Sequence, residues 1–160
     1  MKRISLTLCL AFLTVLFCQA QVASLKFNKN GEFKIVQFTD IHFQYHNPAS
    51  AIALKRINEV LDAERPDLIV FTGDVVYAPP ADTAMRAVLD CASSRKIPFV
   101  VTFGNHDNEQ GKTRAELYDI IRSMPYNIQP DRGSVESPDY VLTVKSSDGK
   151  KDASVLYCLD

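Results

Sequence analysis

The 160-residue sequence has no basic surplus: 18 Lys and Arg stand against 19 Asp and Glu. Bulk charge therefore cannot neutralise a nucleic-acid backbone, whose binding draws on many cation–phosphate contacts. No apolar run reaches the roughly 20 residues needed to cross a bilayer. The longest, Ile4 to Phe17, stops at 14. Internal repeats, low-complexity tracts and domain-splitting linkers are absent, and cysteines number four. Collagen-like, disordered, multi-pass membrane and disulfide-scaffold classes are all excluded on these grounds. Histidine is scarcer still, limited to His42, His46 and His106.

What is present begins with a leader. Met1, Lys2 and Arg3 carry positive charge, Ile4 to Phe17 follow without an acidic residue, and Cys18-Gln19-Ala20 offers small side chains where a signal peptidase reads. This pattern predicts a secretory signal peptide over residues 1–20 and an exported protein, periplasmic or secreted. A retained anchor is disfavoured by the short run, and a lipid-modified Cys18 by the bulky Phe17 before it. Removing the leader takes two basic residues and no acidic ones, leaving 140 residues of net charge −3. That length suits one domain with one core. Only Cys91 and Cys158 remain, the first read as a packed helix residue and the second as a strand residue. Export would permit a disulfide between them, but nothing in their spacing demands one.

Along the mature chain, Ser24–Phe27 and Glu32–Phe38 flank Asn28-Lys29-Asn30-Gly31, an Asn-Gly turn that predicts a hairpin. Ala51–Glu64 places Leu54, Ile57, Val60 and Leu61 on one helical face, and Pro66 ends it. Asp67–Phe71 is a continuous apolar run, the mark of a strand covered on both faces. A second helix is expected over Asp82–Arg95, capped by Asp82, with Met85, Val88, Leu89 and Ala92 inward. Pro98–Phe103 reads as a third buried strand. Thr113 and Glu116 form a capping box ahead of a third helix lined by Leu117, Ile120, Ile121 and Met124. Tyr140–Val144 and Ser154–Leu159 read as an antiparallel hairpin turned by Ser147-Asp148-Gly149. Three strand–helix units in succession predict an α/β fold, a parallel sheet layered with helices, followed by that hairpin. Ligands of such sheets bind at the carboxyl ends of the strands.

The unusual polar residues fall at those ends: Asp40-Ile41-His42, Gly73-Asp74 and Gly104-Asn105-His106-Asp107. Adjacent strands run about 4.8 Å apart, so their tips can converge on a small volume. Asp, His and Asn are oxygen and nitrogen donors for zinc, manganese or iron. One residue between Asp40 and His42 lets both address one ion while Ile41 turns to the core. Asp74 is a carboxylate able to bridge two ions. Gly73 leaves room for close backbone approach, and Gly104 permits a sharp exit from its strand. Each cluster alone has a bland reading as a turn or helix cap; all three in order, each at a strand end, do not.

Together these clusters resemble the first three motifs of the calcineurin-like metallophosphoesterases. Phe38-Thr39-Asp40-Ile41-His42 and Thr72-Gly73-Asp74 look most similar to the branch related to purple acid phosphatases. The resemblance implies the family's layered sheet–helix sandwich and hydrolysis of phosphate esters by a metal-activated water at a two-metal site. It implies Asp40 and His42 on one metal, Asp74 bridging both and Asn105 on the second. His106 would be a catalytic side chain near the phosphate, with Asp107 orienting it. The implied partner is a phosphate-ester small molecule or nucleotide, with no membrane span after leader cleavage.

The family also supplies later histidines, whereas none follows His106 here. Residues 21–160 therefore read as the N-terminal part of such a domain, its C-terminal part missing and its second metal shell incomplete. The alternatives are a phosphodiesterase or nuclease acting on nucleotides, and a catalytically silent metal- or phosphate-binding fragment. Tyr77 matches the spacing at which purple acid phosphatases place a tyrosinate on iron. Those enzymes lack a histidine in the first motif, and with His42 present Tyr77 reads as a cleft-wall aromatic ahead of a ligand. His46 reads as a loop residue near the cleft mouth. Asn108, Glu109 and Arg114 are placed, by position alone, to touch substrate.

Overall fold

The computed structural model describes residues 24–160, so the signal-peptide reading of residues 1–20 lies outside the described residues. Strands β1 (Ile35–Phe38), β2 (Leu68–Thr72) and β3 (Phe99–Thr102) form a parallel sheet in chain order. Ile35 faces Leu68 and Ile69 faces Phe99 in the register. Helices α1 (Ala51–Glu64), α2 (Ala81–Ser93) and α3 (Arg114–Arg122) alternate with these strands, and β4 (Tyr140–Lys145) pairs antiparallel with β5 (Asp152–Cys158). This is the expected α/β succession of three strand–helix units and a hairpin. Because the sheet keeps chain order, the ends of the three motif-bearing strands lie side by side. No helix among the described residues is long and apolar enough to cross a membrane.

The period-2 alternation of strand side chains explains the layers. Ile69, Phe71, Phe99 and Val101 point to one face and pack with Ile57 and Leu61 of α1, Met85 and Leu89 of α2, and Leu117 and Ile121 of α3. Leu68, Val70 and Val100 point the other way, where Tyr140, Leu142, Val144 and Cys158 of the hairpin cover them. Full burial of each large apolar side chain contributes about 1.5–3 kcal/mol. The continuous apolar run of β2 thus serves two layers, helices on one side and a second sheet on the other. Beyond β3, side chains satisfy the open edge: Val101 N–H donates to Gln129 Oε1 at 2.9 Å, and the Tyr140 hydroxyl donates to Val101 O at 3.0 Å. Burial pushes the Tyr140 phenol far above its ordinary range, so it acts only as a neutral donor there.

Several local expectations are corrected. Asn28 does make its turn, accepting from the N–H groups of Asn30 (2.8 Å) and Glu32 (3.0 Å). The flanking arms do not form a ladder, however. Lys26 bridges in parallel to Lys145, while β1 begins only at Ile35 and pairs with β2. An isolated two-stranded hairpin is marginal, whereas Val36 and Phe38 gain a shared core by joining β2. In α1 the inward face is Leu54, Ile57 and Leu61; Val60 stays 38 % exposed. Asp82 sits in the first turn of α2 rather than capping it, because the helix starts directly after Pro80. There it still favours the positive end of the helix dipole. The Thr113–Glu116 capping box of α3 forms as expected, and Met124 is buried just past that helix. Cys91 and Cys158 are free thiols, one in the helix-side core and the other in the hairpin-side core, so the sheet separates them.

Candidate metal centre

Backbone contacts assemble the site before any side chain is considered. Beyond β1 and β2 the chains stay paired: Asp40 N–H donates to Gly73 O at 3.1 Å, His42 to Asp74 O at 2.9 Å and Phe43 to Val75 O at 2.9 Å. The next loop is joined by two glycines. A Cβ on Gly73, whose φ is +89°, would stand 2.6 Å from Gly104 N, and one on Gly104 would stand 2.1 Å from Asp74 Oδ1. Gly104 thus serves close approach to Asp74 rather than an unusual turn. Asp40, His42 and Asp74 all adopt left-handed φ, at 52°, 47° and 51°. Such backbone is costly for residues with a Cβ and concentrates at functional sites.

These loops bring His42, Asp74 and His106 together, with one donor atom from each inside 4.8 Å of the others. His42 Nε2 lies 3.3 Å from Asp74 Oδ2, and the His106 N–H donates to Asp74 Oδ1 at 3.0 Å. Burial pushes the Asp74 carboxyl up, but the His106 amide and the His42 ring outweigh it and hold the group below its ordinary value. Tyr77, 43 % exposed, stacks on His42 with centroids 5.0 Å apart and meets His106 edge-on at 5.1 Å. It walls the cluster with its ring. Asn105 is exposed on the turn between Gly104 and His106. Asp40, also exposed, is tied to Gly73 through its backbone, while its Oδ2 accepts from the Thr39 hydroxyl at 2.7 Å. Its carboxylate stands outside the three-residue cluster. His46 is exposed against Tyr45 and does not join the cluster.

Asp107 takes a different part from the one expected of it. Fully buried, its Oδ1 accepts from the N–H groups of Val75 (2.8 Å) and Val76 (3.0 Å), and its Oδ2 from those of Asp74 (3.0 Å) and Gly104 (2.9 Å). Burial raises the carboxyl against the pull of these amides. With four donors already on its two oxygens, Asp107 clamps the second and third loops together, and none of its hydrogen bonds goes to the His106 ring. The ring partner is Glu109, whose Oε2 lies 2.7 Å from His106 Nδ1. That hydrogen bond, more than any other influence, raises the His106 pKa. From its position in the sequence Glu109 is expected only as a substrate contact. The missed signal is its i+3 spacing from His106 across a 3-10 turn, where side chains three apart lie in line. Arg114 is also occupied structurally: it donates to both Asp160 oxygens (2.8 and 2.7 Å) and to Gly104 O at 3.0 Å, and lies over the Phe103 ring.

Two imidazoles and a carboxylate in such proximity are a donor set that zinc, manganese and iron accept. Comparison with known proteins agrees with this chemistry. The calcineurin-like phosphoesterase family matches residues 33–150, a span that includes all three loops. The chain is similar to probable inactive purple acid phosphatase 29 of Arabidopsis thaliana, at 37 % identity over 123 residues covering 66 % of this chain and 32 % of that protein. It is similar to phosphatase DCR2 of Saccharomyces cerevisiae, at 32 % identity over 115 residues, 61 % of this chain and 20 % of the other. The uncharacterized metallophosphoesterase YkuE of Bacillus subtilis is 36 % identical over 78 residues, 48 % of this chain and 27 % of the relative. The matches to these curated relatives thus span about a third of their length or less. By its loops and by the matched span, the chain belongs to the calcineurin-like phosphoesterase family.

Proposed function

We propose that this chain builds a metal centre that hydrolyses phosphate esters with a metal-activated water. The observation that carries the reading is the convergence of His42, Asp74 and His106 at the carboxyl ends of parallel strands. In this reading Asp40 and His42 serve one ion, Asp74 is shared, and Asn105 serves a second; manganese, zinc or iron suits these donors. When bound, such ions neutralise phosphoryl oxygens and acidify a water. The chain's own residues do the rest. Asp74, held in its charged form, anchors cations. The His106 imidazole delivers a proton to the departing alkoxide. Asp107 keeps the loops of Asp74 and Gly104 in register through its four amide bonds. Tyr77 and His42 form an aromatic wall beside the reacting group. Residues 1–20 act as an export signal in this reading, so the mature N-terminus would be Gln21.

The test pairs calorimetric titration of the full chain with manganese or zinc and turnover of an aryl phosphate and a bis-aryl phosphate. Metal uptake with monoester turnover is the expected result, and Asp74→Ala should lose both. Preference for the bis-aryl ester would shift the reading to a phosphodiesterase or nuclease. Uptake without any turnover would make the chain a silent metal-binding unit. A wild-type chain that takes up no metal overturns the proposal. N-terminal sequencing of exported protein checks the leader.

A further inference from the structure

We propose that Glu109 is the positioning residue of His106: its carboxylate accepts the Nδ1 hydrogen and so leaves Nε2 as the ring nitrogen that takes up and releases the transferred proton. The consequence for rate rests on the phosphoesterase reading; the positioning itself does not.

The assignment follows from elimination among the carboxylates around the ring. Asp107 spends both oxygens on the amides of Asp74, Val75, Val76 and Gly104. Asp74 gives Oδ1 to the His106 backbone N–H and sets Oδ2 against His42. Neither holds the His106 ring, and Glu109 Oε2 at 2.7 Å from Nδ1 does. Its geometry is supported locally, because the Glu109 N–H donates to His106 O at 3.2 Å and closes the 3-10 turn. A carboxylate accepts only, so in the neutral ring Nδ1 must carry the hydrogen and Nε2 the lone pair. The rings of His42 and Tyr77 confine the imidazole further, each meeting it edge-on, with centroids 5.6 and 5.1 Å away. An outer carboxylate that fixes a histidine in this way is a recurrent device around metal centres.

The experiment is long-range nitrogen–proton correlation NMR on the histidine rings of the metal-free full chain, at a pH where the rings are neutral. His46, exposed in a loop, serves as the internal reference. His106 is expected to carry its proton on Nδ1, unlike His46. In Glu109→Ala its pattern should move toward that of His46, and in Glu109→Gln, whose amide oxygen still accepts, it should stay. A wild-type His106 protonated on Nε2, or a Glu109→Ala pattern identical to wild type, overturns the proposal. Kinetics give the second readout. Glu109→Ala should lower kcat roughly 10-fold with KM unchanged, and Glu109→Gln should recover most of the loss. A tautomer change in a chain without turnover would uphold the positioning and sink the phosphoesterase reading, so the two fail separately.

Discussion

Removing the Asp107 carboxylate is the most informative single perturbation of this molecule. Asp107→Ala deprives four backbone N–H groups of their acceptor. Those of Val75 and Val76 sit in fully buried hydrogen bonds, whereas those of Asp74 and Gly104 are part-buried and can recover water. A buried donor left without a partner costs about 1–3 kcal/mol, so the two buried amides together cost about 2–6, centred near 4 kcal/mol. Domains of this kind are stable by about 5–15 kcal/mol, so the variant should fold but only marginally. With a urea dependence of about 2 kcal/mol/M, the unfolding midpoint should fall by about 2 M. The chain has no tryptophan, so far-UV circular dichroism is the natural probe. Asp107→Asn keeps one acceptor oxygen and turns an NH2 toward the other pair of amides, so its loss should be roughly half as large. Loop order should follow stability, with metal uptake weakened in both variants. A midpoint for Asp107→Ala within roughly 0.3 M of wild type would falsify the clamp.

Three further outcomes are expected. Gly104→Ala drives a Cβ to 2.1 Å from Asp74 Oδ1, and should cost about 1–3 kcal/mol and weaken metal uptake in calorimetry; unchanged uptake would show that Asp74 can move aside. The raised pKa of His106 makes its contribution to stability complete below the ordinary histidine value near 6.5 and lost as pH rises through the folded value. Unfolding midpoints should therefore decline on that alkaline side, and Glu109→Gln should flatten the decline; an unaltered profile would remove Glu109 as its cause. Leu61→Ala should cost about 2–5 kcal/mol while Val60→Ala changes stability by about 0.5 kcal/mol or less, a contrast measured by the same urea titration. Equal losses would restore Val60 to the core.

What the sequence determined by itself was the set of local identities. Hydrophobic period separates α1 and α2 from the apolar run of β2, and Thr113 with Glu116 writes the start of α3 into four residues, because these signals act between near neighbours. The three polar clusters are legible for the same reason: strand ends announce themselves in composition, and Gly73 and Gly104 mark close approach. The third dimension decided the partners. Whether Lys26 pairs with Glu32's strand or with Lys145 depends on which alternative buries more apolar surface, and that is a property of the assembled core. The amides that fill Asp107 come from residues 31 to 33 positions away as well as from nearby Gly104, so nothing in its own neighbourhood reveals that its oxygens are spent. Glu109 was within reach of His106 along the chain, yet only the saturation of Asp107 made it the ring's partner. Donor types are a matter of covalent sequence; which acceptor each donor finds is settled by competition among groups that folding alone brings together.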